Sequence, residues 1–352
     1  MLDLESADAL ASSVDRLLDA HVVGSVLTAA VELGLVAAIA EPTTAAEVAG
    51  QRKLSVDAVE RILCALVALG LATRDAEGAF RATGTSLAVL GTREAPSSRT
   101  CAVRFRGNFV APVMGRLSVA ARTGAPQHRA WPFVDGDVAA SPYEELQKHP
   151  AALRTFLDAM DDDARGSGVC LARMLELGSD DHVIDGGCGG GALARELLAS
   201  VPGLRVESFD LAATASITAE RSARAGLGSR HRIGVGDLRQ PWPFRGASVV
   251  ILSGVLSDFD AGGRRTVLRQ AAEAAALDGR LVLSERLLVE HGTAPAGAAL
   301  LSLVLLAGTE GGQLHRDQLG AVLSDGGWRL ESIRPMSPAD PSSRSVVVAR
   351  RG

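Results

Sequence analysis

The first hundred residues carry apolar positions at the spacing of helices. Between residues 9 and 40 these positions are Leu10, Val14, Leu17, Leu18, Val22, Val26, Ala29 and Leu33. Residues three and four apart share one face of a helix, so the spacing predicts helical structure with one apolar face. Thr44 and Glu47 form a capping box that begins the next helix. Ser55 caps a further helix, which Gly70 ends.

Two short runs around the turn-forming residues 75–78 predict a β-hairpin. Two helices followed by a hairpin form the pattern of a winged helix, which suggests DNA binding. The candidate recognition helix, however, carries Asp57 and Glu60 beside Arg61. Contacts to phosphates require a basic helix face instead. We therefore favour a packing or dimerisation domain and predict no nucleic-acid partner.

The pattern changes beyond residue 170, where short β-branched runs alternate with helical segments. This alternation is typical of βαβ units and a mainly parallel sheet. The predicted strands are residues 182–185, 205–210, 231–234, 248–252, 280–285 and 345–349. The predicted helices between them begin near Ala192, Ala213, Gly262 and Arg316.

The predicted fold class is α/β with three segments. Residues 1–100 form a mostly helical winged-helix dimerisation domain. Residues 101–170 form a helical substrate-binding or linker segment. Residues 171–352 form a Rossmann-like, doubly wound domain, whose ligand site we expect at the carboxyl ends of its strands.

Composition narrows the class of protein. Hydrophobic residues make up 47% of the 352 residues, which excludes intrinsic disorder. The 36 basic and 41 acidic side chains leave no positive field to attract a phosphate backbone. The four cysteines are scattered, which is typical of a reduced chain. No histidine spacing resembles a metal motif, so no metal is predicted.

The sequence also predicts a cytoplasmic location and no membrane partner. Its first six residues include two acidic residues and no basic one, whereas a secretory signal begins with basic residues. The longest apolar run, residues 296–308, is too short to span a bilayer and is predicted to be a buried helix.

A glycine-rich loop follows the first strand predicted in the second half. It runs from Asp185 through Gly187 and Gly189 to Gly191. Glycines allow a left-handed backbone and let N–H groups approach a ligand closely. The same spacing also fits the dinucleotide fingerprint, so the glycines alone do not show whether the cofactor is NAD or a different ligand.

Three acidic residues favour an adenosine ligand of a particular kind. Asp210 ends the next strand about 20 residues beyond the loop, where a carboxylate holds ribose hydroxyls. Asp237 follows the third strand, at a position that suits an adenine amino group. Asp185 has the wrong charge for a pyrophosphate, but it suits the sulfonium and ammonium of S-adenosylmethionine (SAM). The prediction is therefore SAM.

These motifs resemble those of class I SAM-dependent methyltransferases. The most similar subgroup is the plant-type O-methyltransferases, with the actinobacterial relatives that modify polyketides and other natural products such as antibiotics. The resemblance rests on residues 185–191, 209–211, 236–237 and 252–258. Residues 43–83 are similar to the family's dimerisation region, and 114–124 and 143–160 to its substrate-domain helices. The resemblance implies a homodimer that acts on a small-molecule acceptor.

The resemblance also implies a set of cofactor-binding residues. They are Asp185, Gly187, Gly189, Gly191, Asp210, Leu211, Asp237, Leu238, Ser253 and Arg165. The glycines would line the methionine and ribose, Asp210 would bind the ribose hydroxyls, and Leu211 and Asp237 would contact adenine. Arg165 would reach the methionine carboxylate, unless it is simply a solvated arginine.

The chain departs from the family where the catalytic base is expected. The family usually has His-Asp-Trp after the fourth strand, and this chain has Ser257, Asp258 and Phe259. A serine has no pKa near neutrality and cannot replace a histidine as the base. Glu285 matches a glutamate that orients the histidine, whereas Leu314, beside His315, replaces a second one. The catalytic candidates are therefore Asp258, Glu285, Ser257 and His315.

This departure leaves several chemistries open. Positioning alone supplies much of the rate of an SN2 methyl transfer, with Asp258, His315 or an already ionised acceptor dealing with the proton. A second alternative is that the acceptor atom is a carbon or another atom with different proton needs. A third is that the fold binds SAM and catalyses decarboxylation, hydroxylation or a pericyclic step. A fourth is that the protein binds its ligands without catalysis. The candidate acceptor-binding residues suggest an aromatic or polyketide-like molecule: Phe105, Phe109, Met114, Phe156, Met160 and Phe259.

Overall fold

The computed structural model describes residues 6–340 and 343–352. The chain divides into two compact units, Met1–Ala111 and Pro112–Gly352. The division into three segments at residues 100 and 170 stays a prediction. Most of the acidic N-terminus on which the location prediction depends lies outside the described residues.

The N-terminal unit contains short helices and one hairpin. Its elements are α1 (Ala7–Glu32), α2 (Leu35–Ala38), α3 (Ala45–Arg52), α4 (Val56–Ala68), β1 (Ala72–Arg74), β2 (Phe80–Ala82), α5 (Gly84–Ser86) and α6 (Thr100–Phe105). Two π-helical segments, Leu87–Gly91 and Arg106–Val110, follow α5 and α6, and α7 (Ala111–Met114) begins at the last residue of the unit.

The predicted helix caps and hairpin of this unit are confirmed. The Thr44 hydroxyl accepts a hydrogen bond from the Glu47 amide, and the Glu47 carboxylate accepts one from the Thr44 amide at 2.8 Å. Ser55 caps α4, and β1 pairs antiparallel with β2. The helical spacing over residues 9–40 covers two helices, α1 and α2, which are separated at Gly34, where φ is +63°.

The C-terminal unit contains the main sheet and the helices around it. The helices are α8 (Leu117–Thr123), α9 (Pro142–Gln147), α10 (Pro150–Asp163), α11 (Ser167–Met174), α12 (Ala192–Ser200), α13 (Ala212–Arg224), α14 (Ala261–Ala274), α15 (Ala296–Gly308) and α16 (Leu319–Asp325). The strands are β3 (His182–Gly186), β4 (Arg205–Asp210), β5 (His231–Val235), β6 (Ala247–Ser253), β7 (Ala275–Glu285), β8 (Leu287–Leu288), β9 (Leu314–His315), β10 (Trp328–Pro335) and β11 (Ser345–Arg351). Short 3₁₀ turns lie at His128–Ala130, Gly228–Arg230, Leu256–Asp258 and Glu290–Gly292.

The order of the seven-stranded sheet is β10-β11-β7-β6-β3-β4-β5. Strands β3 to β7 run parallel, while β11 is antiparallel to both β7 and β10. The central strands have consecutive buried residues, as expected for a parallel sheet covered by helices on both faces. Ile184 packs into the cluster on one face and Val183 into the cluster on the other. The predicted α/β fold class is confirmed.

Three features of this unit differ from the prediction. The sequence analysis missed β10, and α16 begins at Leu319 rather than near Arg316. The apolar helix α15 exists, but the prediction that it is buried is wrong, because Leu300 is 65% exposed and Leu303 39%. Its Ala298 and Ala307 are buried, while part of its surface remains uncovered in the single chain.

No helix in residues 6–340 and 343–352 is long and apolar enough to cross a membrane.

Candidate active site

A cavity lies at the carboxyl ends of β3, β4 and β6, with α9 and α10 on its other side. This is the edge of a doubly wound sheet at which ligands bind. The predicted cofactor residues that line it are Asp185, Gly187, Gly189, Asp210, Leu211, Asp237, Leu238 and Ser253. Gly191 and Arg165 are not among its described lining residues.

The glycine loop has the backbone that its sequence predicts. Gly187, Gly189 and Gly191 have φ of +69°, +54° and +79°, which residues with side chains rarely adopt. The amides of Gly187 and Cys188 both donate to the Phe209 carbonyl oxygen, at 3.0 and 3.2 Å. The loop is therefore fixed against the end of β4.

Asp210 connects this loop to the start of α13. Its carboxylate accepts hydrogen bonds from the amides of Gly189 and Leu211, at 2.9 and 2.7 Å. Burial raises the pKa of Asp210 to about 6, and the two amide hydrogen bonds oppose that effect. Burial and the neighbouring charge of Asp210 raise the pKa of Asp185 to about 7. The cavity therefore holds two carboxyl groups that a cationic ligand would stabilise in their ionised form.

The charge of the whole cavity lining also favours a cationic ligand. Its acidic residues are Glu144, Asp161, Asp185, Asp210, Asp237, Asp258 and Glu310, and its described basic residues are Arg239 and Arg344. SAM carries two positive groups and one carboxylate, so its net charge complements this lining. The predicted adenine partner Asp237 forms an ion pair with Arg239 at 3.4 Å and accepts the Arg239 amide at 2.8 Å.

Ser257 and Glu285 form a buried pair behind the cavity wall. The Ser257 hydroxyl donates to Glu285 at 3.1 Å, and the amides of Val255 and Leu256 donate to the same carboxylate. Burial raises the pKa of Glu285 against these three hydrogen bonds. Neither Ser257 nor Glu285 is among the described lining residues. Their contacts hold the segment that follows β6 in place.

Asp258, the next residue, faces the cavity. Tyr143 on α9 donates a hydrogen bond from its hydroxyl to Asp258 Oδ2 at 2.6 Å, and both residues line the cavity. Burial raises the pKa of Asp258 to about 7, although the Tyr143 hydrogen bond lowers it. Burial and the Asp258 charge raise the pKa of Tyr143 well above its ordinary value. A carboxylate that titrates near neutrality is suited to general-base chemistry.

The other predicted residues are divided between the cavity and other places. Phe156, Met160 and Phe259 line the cavity, and Met114 does not. Phe105 and Phe109 belong to the N-terminal unit, where their rings stack at 5.6 Å. His315 lies on β9, which pairs with β8, and is not among the described lining residues.

Several cavity residues are not among the predicted site residues. Tyr143 is the only tyrosine of the chain, but nothing in the sequence links it to Asp258. Gln147 on α9 accepts the amide of Ala213 at 2.8 Å and so caps α13 beside the cavity. Arg344 precedes β11, and its approach to the cavity follows from the position of that strand. Among the described residues no cluster of histidine, cysteine, aspartate or glutamate could hold a metal ion.

Two protein-family models match the chain. An O-methyltransferase domain matches residues 116–329, and an O-methyltransferase dimerisation domain matches residues 15–92. The chain is 30% identical to 2,7-dihydroxy-5-methyl-1-naphthoate 7-O-methyltransferase of Streptomyces carzinostaticus, over 84% of this chain and 85% of that protein. It is 29% identical to 3-hydroxy-5-methyl-1-naphthoate 3-O-methyltransferase of Streptomyces sahachiroi, over 91% of this chain and 90% of that protein.

Solved structures agree with these relatives. The mitomycin 7-O-methyltransferase MmcR has a TM-score of 0.87 at 25% identity and covers 98% of each chain. An O-methyltransferase from neocarzinostatin biosynthesis, in complex with SAM and 2-hydroxy-5-methyl naphthoic acid, has a TM-score of 0.76 at 26% identity. That match covers 94% of this chain and 96% of the other. The chain therefore belongs to the plant-type O-methyltransferase family, and it is a SAM-dependent methyltransferase.

Proposed function

We propose that this enzyme transfers the methyl group of SAM to a hydroxyl oxygen of an aromatic natural-product acceptor, with Asp258 accepting the hydroxyl proton. The observation that carries the proposal is the Asp258 carboxylate, which lines the cavity and is held at Oδ2 by Tyr143 at 2.6 Å. That hydrogen bond leaves Oδ1 for the acceptor. Ser257, at the position of the family's usual histidine, points to Glu285 instead.

SAM supplies a methyl group on a sulfonium, which is electrophilic without further activation. As the acceptor oxygen forms its bond to the methyl carbon, the S–CH₃ bond breaks and the O–H proton moves to Asp258. The products are a methyl ether, S-adenosylhomocysteine (SAH) and a protonated carboxyl group, which returns its proton to water. Binding both substrates in line supplies much of the rate.

An aromatic acceptor fits the wall beside Asp258. Phe156, Met160 and Phe259 line this cavity, and the rings of Tyr143 and Phe156 meet edge to face with centroids 6.1 Å apart. The substrates after which the relatives are named include two naphthoates and 3-amino-4-hydroxybenzoate, all aromatic. We extend this acceptor class to the present chain as part of the proposal.

We also propose that the enzyme is a homodimer, in keeping with the match to the dimerisation domain. Helix α1 supports this, because it exposes large apolar side chains. They are Leu10, Val14, Leu17, Leu18 and Val22. A series of apolar residues exposed along one helix usually marks an interface. A cytoplasmic location and the absence of a nucleic-acid partner stay predictions.

The proposal is tested by following the methyl group. The enzyme is incubated with SAM carrying a ¹³C methyl group and with a panel of hydroxynaphthoates, and the products are analysed by mass spectrometry and NMR. We expect a ¹³C methyl ether and SAH in equal amounts. The matched control is the naphthoate without the hydroxyl group, which should receive no methyl group. A carbon-attached label, or conversion of acceptors without methyl transfer, would contradict the proposal.

A further inference from the structure

Two arginines line the described cavity, and they lie at its two sides. Arg239 follows β5, at one edge of the sheet, and pairs with Asp237. Arg344 directly precedes β11, on the other side of the glycine loop that follows β3. We assign the adenine end of SAM to the side of the cavity that holds Asp237. Arg344 is therefore the cation available at the opposite end.

Arg344 is held in place by the backbone and by an ion-pair cluster. Its Nη1 donates to the Ser284 carbonyl oxygen at 3.0 Å, and its Nη2 bonds Asp163 at 2.6 Å. Asp163 also forms an ion pair with Arg286 at 2.7 Å. Two guanidinium groups thus share the Asp163 carboxylate, and the Arg344 charge also acts on Glu285 and Asp258. Only 12% of the Arg344 side chain is exposed, so its orientation is fixed.

Gly254 makes the room that this guanidinium occupies. A Cβ added at Gly254 would lie 2.7 Å from Arg344 Nη1. Gly254 follows Ser253, a predicted cofactor residue, and precedes Val255, whose side chain lies 3.0 Å from a Cβ added at Gly187. The guanidinium therefore lies on the part of the wall that meets the glycine loop, close enough to Asp258 for its charge to lower the pKa of that carboxyl group.

Arg165, which the sequence analysis assigned to the methionine carboxylate, has a different environment. Its guanidinium forms an ion pair with Asp162 at 2.6 Å, and 54% of its side chain is exposed. The described cavity lining includes the preceding residue, Ala164, but not Arg165 itself. The predicted partner of the carboxylate is thus a largely exposed arginine that is paired with Asp162.

We propose that Arg344 binds the α-carboxylate of SAM, and equally that of the product SAH. This inference rests on SAM occupying the cavity, as the proposed function requires. In such an arrangement Asp185 and Asp210 favour the positive groups of the cofactor, and Arg344 binds its one negative group. A guanidinium suits this task because its planar donors match the two oxygens of a carboxylate.

The test compares two ligands that differ only in the carboxylate. SAH and its decarboxylated analogue, in which hydrogen replaces the carboxylate, are titrated calorimetrically into the full-length enzyme and its variants. We expect wild type to bind SAH about 10- to 100-fold more tightly than the analogue, the range of a charge-assisted hydrogen bond. In Arg344→Gln this preference should nearly disappear, while affinity for the analogue stays within about threefold.

Arg165→Gln is the matched control variant. It also removes one arginine charge, but at a residue just beyond the end of α10 that is not among the described lining residues of the cavity. It should keep the wild-type preference for SAH over the analogue. Equal binding of both ligands by wild type, or loss of the preference in Arg165→Gln alone, would overturn the proposal. A third result would also overturn the proposal. In it, Arg344→Gln keeps the preference for SAH, and its KM is raised for a hydroxynaphthoate but not for the corresponding carboxamide. Wild type that binds neither ligand would instead refute the proposed function on which this inference rests.

Discussion

Ser257 and Asp258 are neighbours in the chain, yet their side chains have opposite surroundings. The Ser257 hydroxyl is buried and bound to Glu285, whereas Asp258 lines the cavity and bonds Tyr143. The short 3₁₀ turn Leu256–Asp258 produces this difference, because successive side chains on it point in different directions. The residue at the family's usual base position therefore supports the site, and the residue after it faces the cavity.

The first prediction concerns Ser257→Ala. Because the hydroxyl does not line the cavity, kcat/KM for methyl transfer should stay within about threefold of wild type. The variant should lose about 1–2 kcal/mol of unfolding free energy, since a buried carboxyl group loses one hydrogen-bond donor. Enzyme kinetics and denaturant titration measure the two effects. An inactive Ser257→Ala enzyme that binds SAH normally would make the serine a direct participant.

The second prediction concerns Tyr143→Phe and has a pH signature. The hydrogen bond from Tyr143 lowers the pKa of Asp258, so its removal should raise that pKa above about 7. Asp258 acts as a base only when it is ionised, and activity therefore falls as the pH drops through its pKa. The acidic limb of the kcat/KM profile should move to higher pH in Tyr143→Phe. A limb at the wild-type position would show that the tyrosine does not tune the carboxylate.

At the scale of elements, the sequence predicts the parts that are local in the chain. The bounds of β4 match the prediction, because Pro202 and Gly203 mark a turn before the strand and the helical pattern of α13 begins directly after it. Strand β10 was missed, since its alternation of apolar and polar residues is interrupted by a bulge between Leu330 and Ser332. The exposure of α15 could not be predicted either, because apolar composition does not tell which neighbours cover a helix.

The same distinction applies to the site. The glycine loop and the acidic residues could be predicted from the sequence because each lies at the end of a strand or shortly after it. The Tyr143–Asp258 hydrogen bond joins residues 115 positions apart, and the Arg344–Asp163 pair joins residues 181 apart. Such pairs depend on how α9, α10 and β11 pack at the sheet edge, and a single sequence does not specify that packing.

The third prediction concerns the contact between residue 311 and the segment that carries Asp258. A Cβ at Gly311 would overlap the Ser257 carbonyl oxygen and lie 2.8 Å from Phe259 N. Gly311→Ala should therefore displace Asp258 from Tyr143 and lower kcat/KM by about 10²-fold, the scale expected for a misplacement near 1 Å. Gly308→Ala is the matched control, because nothing lies within 4 Å of its added Cβ. Equal activity in the two variants would contradict this account.

At the scale of the whole molecule, the exposed apolar face of α1 leads to the fourth prediction. Leu18 is 67% exposed and Val22 60%, so a charge there should cost little in an isolated chain and much in an interface. Leu18→Asp combined with Val22→Asp should convert the homodimer to monomers, as measured by light scattering at micromolar concentration. Leu277→Asp, at an apolar residue that is 89% exposed on β7, should leave the dimer intact. A monomeric wild type would refute the proposed dimer.

The central claim is that Asp258 takes the acceptor proton during methyl transfer from SAM. The measurement that tests it most directly is kcat/KM for methyl transfer to a hydroxynaphthoate, from pH 5 to 9, in wild type and Asp258→Asn. Wild type should lose activity as the pH falls through about 7, the pKa of Asp258. Asp258→Asn should bind SAH normally, be slower by about 10²–10⁴-fold and lack that acidic limb. An Asp258→Asn enzyme with the wild-type rate and pH profile would contradict the claim.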